Sequence, residues 1–315
     1  QAVLNSCRYL ERFGLTVTYL PVDQYALVSP EQVASALTEQ TAMVSLTYVN
    51  NEVGSILNVE DIVRAIRERE RALGHRIAVH LDAVQAPGYA PLDVRTLGVD
   101  IMSLSGHKFG GPVGTGVLYV RRATPFLPLI DGGVQERRRR AGTENVAGAV
   151  GLATALGLVT SERPTVEPRI RRLRDRLIER ITAGLPGAKL NGHPTERAAN
   201  NVNFSFAGLD GESLVLALDA QGVACSAGSA CAHTTWEPSH VLLAMGCTLE
   251  EATGALRLTL GNPTTDQDID DAGRIIVDVV RRLLSDAYTL PSQGSEWAPP
   301  TEGEASPHGS AARLP

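Results

Sequence analysis

Apolar positions along this chain switch repeatedly between two periods. In "NVEDIVRAIRERERALG" Val59, Ile62, Val63 and Ile66 recur at three- and four-residue steps with charged residues between them, which predicts a helix with one buried face. "LTVTYLPV", "TAMVSLTYV", "RIAVHLDA", "VDIMSLS" and "TGVLYVRR" are short runs of β-branched and apolar residues bounded by polar or glycine-rich stretches, and read as strands. Among them "SPEQVASALT" reads as a helix with Ser29 at its N-cap and Pro30 at the first helical position. The alternation predicts βα units and a largely parallel sheet, an α/β fold. Further on, an Ala/Gly-rich helix is expected from about Glu144 to Thr160, then a hinge at "SERPTVEP" and an amphipathic helix in "RIRRLRDRLIERITAGL". A strand in "NNVNFSFAG" and a long helix in "DQDIDDAGRIIVDVVRRLLSDA" follow. The expected organisation is a large α/β domain over residues 1–162 and a smaller α+β domain over 163–289. Residues 290–315 carry Pro, Gly, Ser and Glu in place of core-forming residues, and read as a disordered tail.

Composition narrows the function class. With a formal net charge of -6 over 315 residues, nothing draws the chain toward nucleic acid or an anionic membrane, and the basic run "ERRRR" (136–140) reads as a solvated face. No apolar stretch has the length of a membrane span, and no signal peptide is visible. Cysteines at 7, 225, 231 and 247 have neither zinc-like spacing nor the density of a disulfide scaffold, which predicts a reducing, cytoplasmic setting. Cys7 and Cys247 read as packing residues. The chain opens at Gln1 directly in a helical pattern without an N-cap cluster, which reads as a fragment.

Three apolar runs end in polar groups. "SLTYVNNEVG" ends in Asn50, Asn51 and Glu52, "RIAVHLDAVQ" in Asp82 and Gln85, and "VDIMSLSGHK" in Ser105, His107 and Lys108, where glycines fence the lysine. The carboxyl ends of strands in open α/β sheets are where ligands bind. A carboxylate there is costly to bury without a cation. Pyridoxal phosphate (PLP) supplies a pyridinium nitrogen for an acid, an aldehyde for a lysine and a phosphate for hydroxyls and backbone donors. Asp82, Lys108 and Ser105 meet those demands. Cys231 lies in "ACSAGSACAHTTW", a run of small and polar residues without apolar periodicity, which suits an accessible nucleophile. Arg257, in the strand-like "GALRLTLGNP", has the fork geometry that holds a carboxylate.

The segments "NNEVG", "HLDAVQAPG", "SLSGHKFGGP", "RAGTENVAG" and "CSAGSACAHTTWEPSHVLLAMG", in this order, resemble those of NifS/IscS-type cysteine desulfurases, PLP enzymes of fold type I within the class V aminotransferases. The resemblance runs from about residue 1 to 285. It implies that Lys108 binds the cofactor covalently, that Asp82 holds the ring nitrogen, that Asn51 and Gln85 reach the ring oxygen, and that Ser105 and His107 bind the phosphate. It further implies that Thr143 reaches the phosphate site of a partner subunit in a homodimer, that Arg257 (with Asn51) binds the substrate carboxylate, and that Cys231 accepts sulfur from L-cysteine. The persulfide would pass to an acceptor protein for iron–sulfur clusters or tRNA thiolation. Cys225 stands where the family often has serine or cysteine.

Three departures bear on this. A histidine that stacks on the ring immediately precedes the family segment matching "QAVLNSC", and a glycine-rich phosphate loop lies further upstream; both are outside this sequence, so the residues present are expected to bind PLP weakly and to turn over little by themselves. Within this chain, Arg138 of "QERR" (135–138) replaces a glycine common at that point of the family's loop, and Val113 stands where lysine is frequent. Selenocysteine lysis or transamination would share Lys108 and Asp82 without needing Cys231, and an inactive dimerisation or scaffold partner is the non-enzymatic alternative.

Overall fold

The computed structural model describes residues 1–228 and 238–289. Its first sheet contains β1 (Met43–Thr47), β2 (Ala78–Asp82), β3 (Ile101–Ser105) and β4 (Gly116–Val120), in that spatial order. β1, β2 and β3 run parallel, and β4 returns antiparallel to β3. Helices α1 (Ala2–Glu11), α2 (Pro30–Ala36), α3 (Val59–Leu73) and α4 (Val94–Leu97) accompany it. The capping residues explain where they start: Ser29 and Gln32 close a capping box on α2, and Asn58 accepts from the Asp61 N–H at the head of α3. α3 stops at Gly74, whose φ of +76° is the left-handed conformation glycine adopts without penalty.

The two faces of this sheet differ. Leu46, Val79, Leu81, Met102 and Leu104 are buried together with Val33 of α2 and Ile62 and Ile66 of α3. The residues alternating with them (Ser45, Thr47, His80, Asp82, Ser103 and Ser105) lie on the opposite face, half-buried or exposed. An ion cluster locks the far end of the sheet. Arg67 reaches both Glu70 and Asp100 at 2.6 Å, Arg76 reaches the same two carboxylates, and Arg121 lies 3.1 Å from Asp100.

After β4 comes the turn α5 (Gln135–Arg138), which holds Glu136, Arg137 and Arg138 at φ of +47°, +57° and +64°. A left-handed conformation costs a non-glycine residue ~1–2 kcal/mol, and Arg138 is where the related loop has glycine. The next element corrects the sequence reading. The expected hinge at "SERPTVEP" is helical, part of a single helix α6 (Val146–Gly184) that contains Pro164 and Pro168. Its Leu152 and Ala155 belong to the first core and its Ile170, Leu173, Leu177 and Ile181 to a second, so the proline-bearing stretch forms a bridge with no fully buried residue. Prolines there forfeit backbone hydrogen bonds only where water can replace them.

The second sheet is antiparallel, with β5 (Lys189–Leu190), β6 (Asn201–Ser205) and β7 (Ala255–Thr259) in that order. Helix α7 (Gly211–Asp219) precedes the short α8 (His240–Ala244) and α9 (Leu249–Thr253), and α10 (Asp266–Thr289) follows β7. Val202, Phe204, Leu256 and Leu258 face this second core with Leu214, Leu218, Ile276 and Val280. A third cluster gathers Val53 with Leu242, Met245, Cys247, Ala252 and Ala255 at the seam between the two halves.

Two more expectations change. "LTVTYLPV" forms no strand: residues 15–22 join no sheet ladder among the described residues, and a strand needs one. Cys7 is half-exposed on α1, a helix that buries no residue, whereas Cys247 is buried as expected. The expected tail, 290–315, lies outside the described residues.

Candidate active site

The chemistry sits at the carboxyl edge of the first sheet. Asp82 is the last residue of β2, paired with Thr47 of β1 and with Ser103 of β3. Its Oδ1 accepts the Val84 N–H at 3.1 Å, and its Oδ2 has no hydrogen-bond partner among the described residues. β3 ends in Ser105 and passes straight into a 3-10 turn, Gly106–Phe109, that presents His107 and Lys108 to solvent while burying Phe109. Ser105 Oγ lies 3.0 Å from His107 Nδ1, so the two polar groups are held as a pair. The glycine between them is a packing requirement, because a Cβ on Gly106 would come 2.2 Å from Thr115 Oγ1. Of the two lysines in the sequence, Lys189 is committed to Glu251 at 2.9 and 3.0 Å, whereas Lys108 makes no hydrogen bond to any described residue.

Asn51 is held from the other half of the molecule. Arg257 Nη1 donates to the Asn51 carbonyl at 3.2 Å. Asn201 and Asn203 both donate to the Glu52 carbonyl, at 3.1 and 3.0 Å, and Arg197 donates to the Val53 carbonyl at 3.0 Å. Asn203 and Arg257 are register partners on β6 and β7, so one row of the second sheet grips successive carbonyls of the "NNEVG" segment. The Glu52 carboxylate, 1% exposed, accepts from Ser239 at the head of α8. None of Arg197, Asn201, Asn203 or Ser239 was singled out from the sequence. The signal available was the polar alternation within "NNVNFSFAG", which reads equally well as a solvent-facing row.

Arg257 also pairs through its backbone with Ser226, N–H to carbonyl in both directions at 2.7 and 3.0 Å. This places Cys225 beside β7. Burial, reinforced by the charge of Asp219, pushes the Cys225 thiol up to about 11, so very little thiolate forms there at neutral pH. Cys231 lies outside the described residues. Gln85 is half-buried in the turn after β2, and Thr143 is exposed ahead of the α6 N-cap, Asn145; neither hydrogen-bonds to the strand-end group.

The donor set fits PLP: a carboxylate oxygen left free at a strand end, a hydroxyl–imidazole pair one strand over, and an uncommitted amine on the following turn. The fold and this set of groups define a PLP enzyme of fold type I. A family model described as aminotransferase class-V matches residues 1–271, and the chain belongs to that family. It is 45% identical over 292 residues to a cysteine desulfurase IscS of Methanosarcina thermophila, covering 93% of this chain and 70% of that protein. A cysteine desulfurase of Nostoc sp. is 42% identical over 282 residues, covering 90% and 69%. Among solved structures, a NifS-like protein superimposes with a TM-score of 0.81 at 34% identity over 89% of this chain and 72% of its own. SspA in complex with cysteine gives 0.69 at 32% identity over 84% and 71%.

Proposed function

We propose that this protein is a cysteine desulfurase that converts L-cysteine to L-alanine and retains the sulfur as a persulfide on Cys231. What supports the reading is the placing of Asp82 at the end of β2 and of the Ser105–His107 pair and the uncommitted Lys108 at the end of the adjacent β3, with Arg257 anchored to Asn51 across the seam. PLP, when bound, supplies an electron sink through its protonated ring nitrogen. Asp82 keeps that nitrogen protonated by accepting its hydrogen bond, and Ser105 and His107 hold the phosphate. Asn51 and Gln85 bond the ring oxygen. Lys108 Nζ would hold the cofactor covalently, and its amine would move the proton at the substrate Cα. Arg257 receives the substrate carboxylate as a two-pronged partner. The substrate C–S bond breaks as the Cys231 sulfur attacks, an S–S bond forms and the substrate Cβ takes up a proton, so no external oxidant is required.

In the same reading residues 1–162 form the cofactor domain and 163–289 the smaller domain, and a second copy of the chain receives Thr143 at its phosphate site. A sulfur-acceptor protein in the cytoplasm discharges the persulfide. Among the described residues no helix is long and apolar enough to cross a membrane. The test is Cys231→Ser against Cys225→Ser in the full-length, PLP-loaded protein. The first is expected to leave the cofactor spectrum unchanged and to abolish alanine and sulfide formation, the second to retain turnover. The reverse pattern would show that the wrong sulfur has been assigned.

A further inference from the structure

His80 stands one layer below the cofactor edge. It shares β2 and its face with Asp82, two residues further on, a step of about 7 Å along a strand. Its ring spans three strands: Nδ1 lies 2.8 Å from Ser45 Oγ on β1 and Nε2 lies 2.9 Å from Ser103 Oγ on β3. Both nitrogens are thereby engaged, which fixes the ring plane as well as its position. A neutral imidazole has one donor and one acceptor, and serine hydroxyls answer either, so the bridge closes without a charge. The neutral form is also the one that burial favours, against the pull of the Asp82 carboxylate. The same face of the sheet gives Asp82 Oδ2 no hydrogen-bond partner among the described residues.

We infer that His80 is a positioning residue for Asp82: braced by Ser45 and Ser103, it sets the spacing of β1, β2 and β3 at the level directly under the cofactor, and presents the carboxylate to the ring nitrogen without competing for its charge. The inference rests on the cofactor assignment above. A cationic or unbraced side chain at this site would tilt Asp82 or partner it, and the ring nitrogen would lose part of its counter-charge. Ser45 and Ser103 act through His80 and touch neither cofactor nor substrate.

The experiment is a double-mutant cycle on the PLP-loaded protein, read as the cofactor dissociation constant and the position of its visible absorption band. His80→Phe keeps the ring and removes both hydrogen bonds. It is expected to weaken PLP binding about tenfold, within the range of coupling between side chains of one network, and to shift the band. In an Asp82→Asn background the same substitution should change little, because the residue it acts through is gone. Ser45→Ala combined with Ser103→Ala should reproduce part of the loss. An equal loss in both backgrounds, or a lowered melting temperature with unchanged affinity and spectrum, would overturn the inference and leave His80 a structural brace. Failure of the full-length parent protein to bind PLP would overturn the cofactor assignment itself.

Discussion

Each sheet of this protein carries a row of polar side chains, and the two rows are treated differently. On the second sheet Asn201, Asn203 and Arg257 are closed over by the "NNEVG" segment, and the asparagines are 5% and 0% exposed. On the first sheet Ser45, His80 and Ser103 bridge one another across three strands and stay half-buried. The closed row is a joint: its donors find backbone carbonyls of the other half and leave almost no freedom in where Asn51 sits. The half-open row is a brace, satisfied within its own sheet, so it holds the strand ends without needing a lid. A buried carbonyl with no donor is costly, whereas a half-exposed hydroxyl can turn to water. The two rows should therefore respond to substitution on different scales.

The largest effect is expected at the joint. Asn201→Ala and Asn203→Ala each leave one donor on the Glu52 carbonyl and should cost about 1 kcal/mol. The double variant strands that carbonyl and should cost ~3 kcal/mol, more than the sum of the singles. Chemical denaturation of the three variants measures this; strict additivity would mean that the two asparagines do not share the carbonyl.

A smaller effect, with a sign set by pH, is expected at the brace. Burial lowers the His80 pKa, so between its folded and unfolded values the unfolded chain binds the extra proton. The stability this contributes is present above the ordinary histidine range near 6.5 and is lost as pH falls through that range toward the lower folded value. Stability curves of the parent and His80→Phe should thus converge as the solution is acidified from neutrality toward about pH 5. A gap that widens on acidification would mean that the folded protein prefers the charged imidazole.

The difference between the rows also explains what could be read in advance. Asp82, Ser105, His107 and Lys108 were legible because each follows an apolar run in sequence, and a strand end is a local feature. Arg257 was legible as a lone guanidinium in a strand. Its neighbour Asn203 was not, because a polar residue at every second position of a strand looks the same whether water or another domain covers it. The hinge reading failed for a related reason. Pro164 and Pro168 break helices in isolation, but α6 is anchored by Leu152 and Ala155 at one end and by Ile170, Leu173, Leu177 and Ile181 at the other. Tertiary packing at both ends outweighs a local preference. "LTVTYLPV" has strand composition, yet strand formation depends on a neighbour that composition cannot supply.

The central claim is that Lys108 carries the cofactor, and the sequence makes its test unusually direct because Lys108 and Lys189 are the only lysines in it. Borohydride reduction of the PLP-loaded protein, followed by proteolysis and mass spectrometry, should place the reduced pyridoxyl group on the peptide "SLSGHKFGGP" and nowhere else. Lys108→Ala should then yield no labelled peptide. A pyridoxyl group on Lys189, or on neither lysine in a protein that holds PLP and turns over cysteine, would contradict the account.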